Sequence, residues 1–220
     1  MIPWEQLATA TAPDGDTLRL MRRGDEFSIR IAGGNELMNS RLGGSEEALA
    51  TLTLTALNRP APRILIGGLG MGFTLRAART AAPDAQIIQA EIVPELGDWA
   101  RGPMALVFGD CLSDPRTTLS IADVADAMRN GPYDAILLDV DNGPDGLTRP
   151  GNDALYSAVG LARAYAALSP GGILSVWSAA PDRAFTRRLG DAGFHVTIET
   201  VRAGRSKRGP KHTIWLARRS

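Results

Sequence analysis

The chain has 220 residues, of which 44% are hydrophobic and 22% are charged, and its formal net charge is zero. This length and composition predict one soluble α/β domain, and the balanced charge gives no reason to expect a nucleic-acid or membrane partner. The single cysteine, Cys111, excludes a disulfide within the chain, and His195 and His212 give no zinc-binding spacing with it. We therefore expect a cytoplasmic protein without a metal ion, a signal peptide or a membrane span.

The first 43 residues are predicted to form a short β-hairpin region. Residues 18–21 and 27–31 alternate apolar and polar side chains on either side of Arg23-Gly24-Asp25, a pattern typical of a hairpin. Residues 36–41 are compatible with another short extended piece. We place the main domain at residues 44–220.

The main domain begins with a predicted helix over residues 45–58. Ser45 is the expected cap, and two acidic residues follow it in the first turn. The alternation of residues 51–55 also fits a strand, so both structures stay open for this segment. Residues 39–41 and 44–47, just before the core domain, are compatible with an amino-terminal cover for the sheet.

Apolar segments alternate with helical patterns from residue 63 onward. The predicted strands are 63–66, 85–91, 105–108, 133–140, 173–177, 194–200 and 212–217. The predicted helices are 72–81, 94–99, 121–129, 153–168 and 182–192. Continuous apolar strands separated by helices indicate a Rossmann-like, doubly wound parallel sheet. Because no helix separates the last two strands, we expect an antiparallel last strand, as in the S-adenosylmethionine-dependent methyltransferase fold.

A glycine-rich turn follows the first of these strands. Gly68, Gly70 and Gly72 lie between a predicted strand and a predicted helix, and Glu91 ends the next strand 19 residues after Gly72. Glycine lets the backbone approach a ligand closely, and a carboxylate at this spacing accepts hydrogen bonds from ribose hydroxyls. The pattern predicts a nucleoside site. A tight turn that serves only packing, followed by a solvated carboxylate, would have the same sequence pattern.

Further segments continue the pattern in chain order. They are the glycine loop 67–72, the acid-ended strand 90–93, Gly109-Asp110, the segment 133–141 and the segment 153–157. Together they resemble the spermidine synthases, the polyamine aminopropyltransferases of the class I methyltransferase fold. The resemblance covers residues 17–218.

The resemblance implies a transferase that uses S-adenosylmethionine or its decarboxylated form to pass an alkyl group to a small amine. It implies that Asp110 reads the adenine amino group, with the backbone amide of Cys111 beside it, and that Asp139 is the catalytic aspartate. It also implies a homodimer.

Two departures from the family keep the transferred group open. Gly70 stands where spermidine synthases carry an aspartate that holds the terminal amine of decarboxylated S-adenosylmethionine. The acceptor segment after Asp139 is shorter than in the family and lacks its usual second aspartate and proline pattern. Methyl transfer and aminopropyl transfer are therefore both compatible with the sequence.

The chemistry itself requires few residues. A sulfonium donor already carries its leaving group, so the enzyme has to align a nucleophile and accept one proton. Asp139, at the predicted carboxyl end of strand four, is the candidate base. Asp141, Asn142 and Tyr156 are candidate acceptor contacts, although the first two also fit a turn and the tyrosine also fits helix packing.

Other functions remain as alternatives. The altered acceptor segment is compatible with a catalytically inactive nucleoside-binding or scaffold protein of the same fold. A dinucleotide-dependent oxidoreductase would rest on the glycine loop alone, and the helix-free pair of last strands disfavours it. The basic residues within 202–211 are better explained as a solvated loop than as a nucleic-acid site.

Overall fold

A computed structural model of the chain describes residues 2–31, 33–140, 143–144, 154–204 and 209–220. These residues form an amino-terminal sheet of four strands and a main sheet of seven strands. Both contribute to one hydrophobic cluster, in which Leu20 and Ile29 of the smaller sheet are as fully buried as Leu49 and Ile64 of the main domain. The amino-terminal strands therefore pack as part of the domain's core.

The amino-terminal sheet is antiparallel throughout. It consists of β1 (Glu5–Thr11), β2 (Thr17–Arg23), β3 (Glu26–Ile31) and β4 (Glu36–Asn39). Strands β2 and β3 are the predicted hairpin, and β4 is the predicted extended piece. Strand β1 was not predicted, because a register shift between Gln6 and Ala8 interrupts its alternation of apolar and polar side chains.

The main sheet confirms the predicted architecture. Its strands are β5 (Arg63–Gly67), β6 (Gln86–Glu91), β7 (Thr117–Ile121), β8 (Tyr133–Leu138), β9 (Leu168–Ser178), β10 (Phe194–Arg202) and β11 (Lys211–Arg219). They lie in the order β10-β11-β9-β8-β5-β6-β7. Strands β5 to β9 are parallel, whereas β11 is antiparallel to both of its neighbours. The carboxyl ends of the parallel strands thus meet at one edge, where open α/β sheets bind ligands.

Helices cover the sheet. They are α1 (Gly44–Leu57), α2 (Phe73–Ala81), α3 (Pro94–Arg101), α4 (Ala105–Phe108), α5 (Val124–Ala127) with a 3₁₀ turn after it (Met128–Asn130), α6 (Ala158–Ala167) and α7 (Arg183–Asp191). In strand β5, Ile64 and Ile66 join one buried cluster and Leu65 joins the other, as expected for a sheet covered on both faces. No helix within these described ranges is long and apolar enough to cross a membrane.

The structure changes the predicted starts of two helices. In α1, Gly43 occupies the cap position without a side-chain hydrogen bond, while Ser45 lies inside the helix and is fully buried. Helix α6 begins at Ala158, because the hydroxyl of Ser157 accepts a hydrogen bond from the amide of Gly160 and caps the helix there. Residues 154–156 are helical as well and are separated from α6 by a bend at Ser157, while residue 153, the predicted start, lies outside the described residues.

The predicted third strand is wrong. Residues 105–108 form the short helix α4, and the third parallel strand is β7, Thr117–Ile121. Four consecutive apolar residues cannot distinguish a short helix from a buried strand. Strand β7 was missed because it lies at the edge of the sheet, where only part of each side chain is buried and no continuous apolar run is needed.

Candidate functional site

The glycine loop connects β5 to α2 in a left-handed backbone conformation. Gly68, Gly70 and Gly72 have φ angles of +87°, +49° and +72°. A Cβ on Gly68 would lie 2.2 Å from the carbonyl oxygen of Asp139, and a Cβ on Gly72 would lie 2.4 Å from the Phe108 ring. Gly68 therefore permits close approach of the loop to the end of β8, whereas Gly72 permits packing of α2 against α4.

Glu91 is fixed beneath this loop. It is the last residue of β6 and is 6% exposed. Its Oε2 accepts a hydrogen bond from the Leu69 amide at 2.9 Å, and its Oε1 accepts one from the Val93 amide at 2.8 Å. An ionised carboxylate accepts up to about four hydrogen bonds, so this orientation is compatible with further donors such as ribose hydroxyls.

A first cavity of about 320 Å³ opens at the ends of β5, β6, β7 and β8. Its described lining is Pro13, Asp14, Leu18, Leu37, Met38, Gly68, Gly70, Ala90, Glu91, Ile92, Val93, Leu96, Ala122, Asp123, Val124, Asp139 and Val140. Apolar side chains form most of its wall, and carboxylates stand at the strand ends. Its size and composition are typical of a small-molecule site.

A second cavity of about 260 Å³ lies beside the first. Its described lining is Leu37, Met38, Asn39, Leu42, Glu46, Leu69, Gly70, Met71, Gly72, Phe73, Asp139, Trp177, Ala203, Pro210 and His212. Four residues line both cavities: Leu37, Met38, Gly70 and Asp139. Asp139 therefore stands where the two cavities meet.

Asp139 follows β8 and is held by both its backbone and its side chain. Its amide donates to the carbonyl of Gly67 at 3.0 Å, and its Oδ2 accepts from Oγ1 of Thr74 at 2.5 Å. Burial and the nearby Glu46 carboxyl raise the pKa of Asp139 to about 7, against the effect of the Thr74 hydrogen bond. A carboxylate with a pKa near neutrality is suited to accept a proton at physiological pH.

Glu46 belongs to a hydrogen-bonded cluster in the second cavity. Oγ of Ser45 donates to Oε2 of Glu46 at 2.5 Å, and the same Oγ lies 2.8 Å from Nδ1 of His212. The chain is consistent when Nδ1 of His212 carries a proton that it donates to Ser45. Burial raises the pKa of Glu46 and lowers the pKa of His212.

The described structure does not bring Asp110 and Cys111 to either cavity. Asp110 is exposed on the turn after α4. Cys111 is buried, its thiol donates to the carbonyl of Phe108, and burial raises its pKa to about 11. The prediction that placed Asp110 at the end of strand three fails because that strand is β7, whose end is followed by Asp123.

Of the three candidate acceptor contacts, the structure describes only Tyr156. Asp141 and Asn142 lie outside the described residues. Tyr156 is buried; its hydroxyl donates to the carbonyl of Val140 at 3.4 Å, and its ring packs edge-on against Phe185. Tyr156 is not among the described residues that line either cavity.

Sequence reasoning missed several lining residues. Asp123 would have been found by recognising β7 as an edge strand. Met38 and His212 are 174 residues apart in the sequence, and no local pattern brings them together. Trp177 of β9 also lines the second cavity.

Known proteins resemble the chain in part of its sequence and in its fold. No family model matches the chain. A polyamine aminopropyltransferase of Mycobacterium tuberculosis (strain CDC 1551 / Oshkosh) is 28% identical over 187 residues, which are 80% of this chain and 34% of that protein. The chain thus spans about a third of the length of the curated relatives it matches.

Solved structures agree over a larger share of the chain. A spermidine synthase in complex with the transition-state analogue AdoDATO aligns with a TM-score of 0.75 and 18% identity, over 98% of this chain and 72% of that one. The chain has the fold of the spermidine synthases. The precorrin-6y C5,15-methyltransferase from Geobacter metallireducens GS-15 shares this fold more distantly, with a TM-score of 0.55 and 16% identity over 77% of this chain and 86% of that one. The spermidine synthase fold confirms the predicted fold class.

Proposed function

We propose that this protein is a transferase that passes an aminopropyl group from decarboxylated S-adenosylmethionine to a small amine. The observation that carries the proposal is the position of Asp139, a carboxyl with a pKa of about 7 at the junction of two cavities. One cavity fits a donor and the other fits an acceptor. The similarity to aminopropyltransferases supports the same reaction class.

The adenosine part of the donor fits the first cavity. Glu91 would accept hydrogen bonds from the ribose, since its carboxylate is fixed at the end of β6 by two backbone amides. Asp123, at the end of β7, uses Oδ1 to cap α5 through the amide of Ala125 at 2.8 Å. Its carboxylate faces the same cavity and would accept a hydrogen bond from the adenine amino group.

The reaction needs one base. The acceptor nitrogen attacks the carbon bound to the sulfonium, a new C–N bond forms, and the C–S bond breaks with its electron pair moving to sulfur. Methylthioadenosine leaves, and the proton lost by the amine moves to Asp139. Alignment of donor and acceptor at the junction supplies much of the rate enhancement. Good orientation of two reactants can lower the activation barrier by ~7–11 kcal/mol.

The charges of the two cavities support the decarboxylated donor. The carboxylates in their described linings are Asp14, Glu46, Glu91, Asp123 and Asp139. Such a lining attracts a donor that carries a sulfonium and a terminal ammonium and repels one that also carries a carboxylate.

Methyl transfer from S-adenosylmethionine is the second candidate, and one observation favours it. Gly70 stands at the position of the loop aspartate that the family uses to hold the terminal amine of the decarboxylated donor. Loss of that charge-assisted contact would weaken binding of the decarboxylated donor by ~1.5–3 kcal/mol.

Calorimetric titration with each donor tests the proposal. We expect binding of decarboxylated S-adenosylmethionine to be tighter than binding of S-adenosylmethionine, and we expect Glu91→Gln to weaken both. Tighter binding of S-adenosylmethionine would overturn aminopropyl transfer in favour of methyl transfer. Absence of binding for both donors and for AdoDATO would overturn the transferase itself.

A further inference from the structure

A glutamine lies under the glycine loop, within strand β6. Gln89 is fully buried and is not among the described residues that line either cavity. A buried carboxamide destabilises a fold unless its polar atoms are paired. The proposed reaction has no step for this side chain, so its hydrogen bonds indicate what it contributes.

Three carbonyl groups set the orientation of the carboxamide. Its Nε2 donates to the carbonyl of Gly68 at 2.8 Å and lies 3.4 Å and 3.3 Å from the carbonyl oxygens of Ile66 and Ala90. Because all three neighbours are acceptors, the nitrogen must face them and Oε1 must face away. Oε1 is buried there without a hydrogen-bond partner among the described residues. Gln89 thus leaves one oxygen unpaired in the core and supplies one donor to the loop.

The peptide group that accepts this hydrogen bond is held at both of its polar atoms. Its carbonyl belongs to Gly68 and accepts from Gln89, while its N–H belongs to Leu69 and donates to Oε2 of Glu91 at 2.9 Å. Gln89 and Glu91 are two residues apart on β6, so their side chains extend from the same face of the strand. Together they clamp one peptide group of the loop.

Glycine at position 68 makes this clamp necessary. Gly68 has a φ of +87°, and glycine accepts a wider range of backbone conformations than any other residue. A peptide group that follows glycine rotates readily when its carbonyl is released. That rotation would withdraw the Leu69 amide from Glu91, and the carboxylate would lose a backbone donor that orients it in the first cavity.

We propose that Gln89 is a positioning residue of the nucleoside site. It holds the peptide group between Gly68 and Leu69, and through that peptide it orients the Glu91 carboxylate toward the ribose. This inference rests on the proposed function, because it requires a nucleoside at Glu91. Gln89 itself does not touch the ligand.

Calorimetric titration with methylthioadenosine tests the assignment. Gln89→Met keeps the length of the side chain and removes the donor, so affinity should fall roughly 10-fold, the effect of losing about one hydrogen bond. Gln86→Met is the matched control, because it makes the same change at the exposed first residue of the same strand. It should bind methylthioadenosine as the wild type does.

Thermal unfolding separates positioning from a structural role. Gln89→Met removes the unpaired buried Oε1, so its Tm should equal or exceed that of the wild type although its affinity is lower. A residue that only supports the fold would lose stability and affinity together. A lowered Tm in both Gln89→Met and Gln89→Leu would therefore overturn the positioning role.

A double-mutant cycle tests whether Gln89 acts through Glu91. In a Glu91→Gln background the carboxylate is already absent, so adding Gln89→Met should change affinity for methylthioadenosine by less than about 3-fold. Additive losses in the double variant would overturn the route through Glu91.

Hydrogen exchange in the free protein, measured by NMR, reports on the clamp without a ligand. The Leu69 amide should exchange roughly 10-fold faster in Gln89→Met, because its peptide group is released. The Ile87 amide, which donates to the carbonyl of Arg116 at 2.8 Å, should exchange as in the wild type. Unchanged exchange at Leu69 would overturn the clamp.

The outcomes distinguish this inference from the proposed function. Binding of methylthioadenosine that is equal in wild type and Gln89→Met would overturn the role of Gln89 and leave the transferase intact. If the wild type binds neither methylthioadenosine nor an adenosyl donor, the proposed function fails, and the positioning role fails with it.

Discussion

The two cavities differ in how they are built. The polar groups of the first lie mainly at strand ends, with Glu91 at the end of β6, Asp123 after β7 and Asp139 after β8. The second shares the glycine loop, Asp139 and the amino-terminal sheet with the first, but its other polar side chains include Glu46 of α1 and His212 of β11. Strand topology thus places most polar groups of the proposed donor site, whereas side chains from α1 and β11 distinguish the proposed acceptor site.

This difference has a consequence for substrate range. A site made by the fold can change little without loss of the fold, so recognition of an adenosyl group should be robust. A site made by side chains can change by single substitutions. We therefore expect substitutions in the second cavity to alter the acceptor while binding of the nucleoside persists.

The largest effect is expected at the junction. Asp139→Asn removes the proton acceptor and keeps a side chain of the same size, so turnover should fall by ~10²–10⁴. Binding of decarboxylated S-adenosylmethionine, measured by calorimetry, should change only a few-fold, since Glu91 and the loop remain. Full turnover in this variant would show that the two cavities do not share a base at Asp139.

The same residue should make stability depend on pH. The pKa of Asp139 is about 7 in the folded protein and 3.8 is its ordinary value, so the native state binds this proton more tightly than the unfolded state. The stabilisation is complete below pH ~4 and is lost as the pH rises through about 7. One pKa unit corresponds to ~1.4 kcal/mol, and ~1 kcal/mol shifts the Tm by ~2–4 °C at this domain size.

Thermal unfolding of wild type and Asp139→Asn between pH 4 and pH 8 measures that contribution. The difference in Tm should change steadily in favour of the variant as pH rises and should level off above pH ~8. A difference that is constant with pH would contradict the raised pKa.

A smaller effect is expected from the loop of the first cavity. Gly68→Ala places a Cβ 2.2 Å from the carbonyl oxygen of Asp139 at a φ of +87°, so it should destabilise the protein by ~1–3 kcal/mol and also lower turnover. Gly190→Ala is the matched control, because nothing lies within 4 Å of a Cβ there. It should be neutral or should stabilise α7 by ~0.5–1 kcal/mol. Equal denaturation midpoints for the two variants would contradict the close approach at Gly68.

The smallest effect is expected in a comparison of Asp123, which we propose as the adenine contact, with Asp110, which the sequence predicted for that role. Asp123→Asn keeps a side chain that can cap α5 but removes the charge, so affinity for methylthioadenosine should fall by about 3–10-fold, or ~1 kcal/mol. Asp110→Asn should leave that affinity unchanged. Calorimetric titration of both variants with methylthioadenosine measures these affinities. A larger loss of affinity in Asp110→Asn than in Asp123→Asn would assign the adenine contact to Asp110.

The parts of the site that were predictable are those with a local signature. The glycine loop and Glu91 belong to one strand–turn–helix–strand unit, whose spacing is visible in a short stretch of sequence. Asp139 was found because β8 is buried on both faces and reads as a continuous apolar run. In each case the backbone geometry follows from neighbouring residues.

The missed parts depend on long-range contacts or on exposed edges. Strand β7 lies at the edge of the sheet and lacks an apolar run, so α4 was taken for it and Asp110 was assigned in place of Asp123. Ser45 was predicted as a helix cap, but the contact with His212, 167 residues away, places it in the second cavity's cluster. Only the folded sheet brings α1 and β11 together.

The contact between Gly68 and Asp139 also restricts how this protein can evolve. Any side chain at position 68 would displace the backbone carbonyl of Asp139. A substitution at this position of the loop thus requires a compensating shift at the end of β8. If the proposed function holds, we expect a new acceptor to need single substitutions in the second cavity, whereas a new donor would need coordinated changes in two elements.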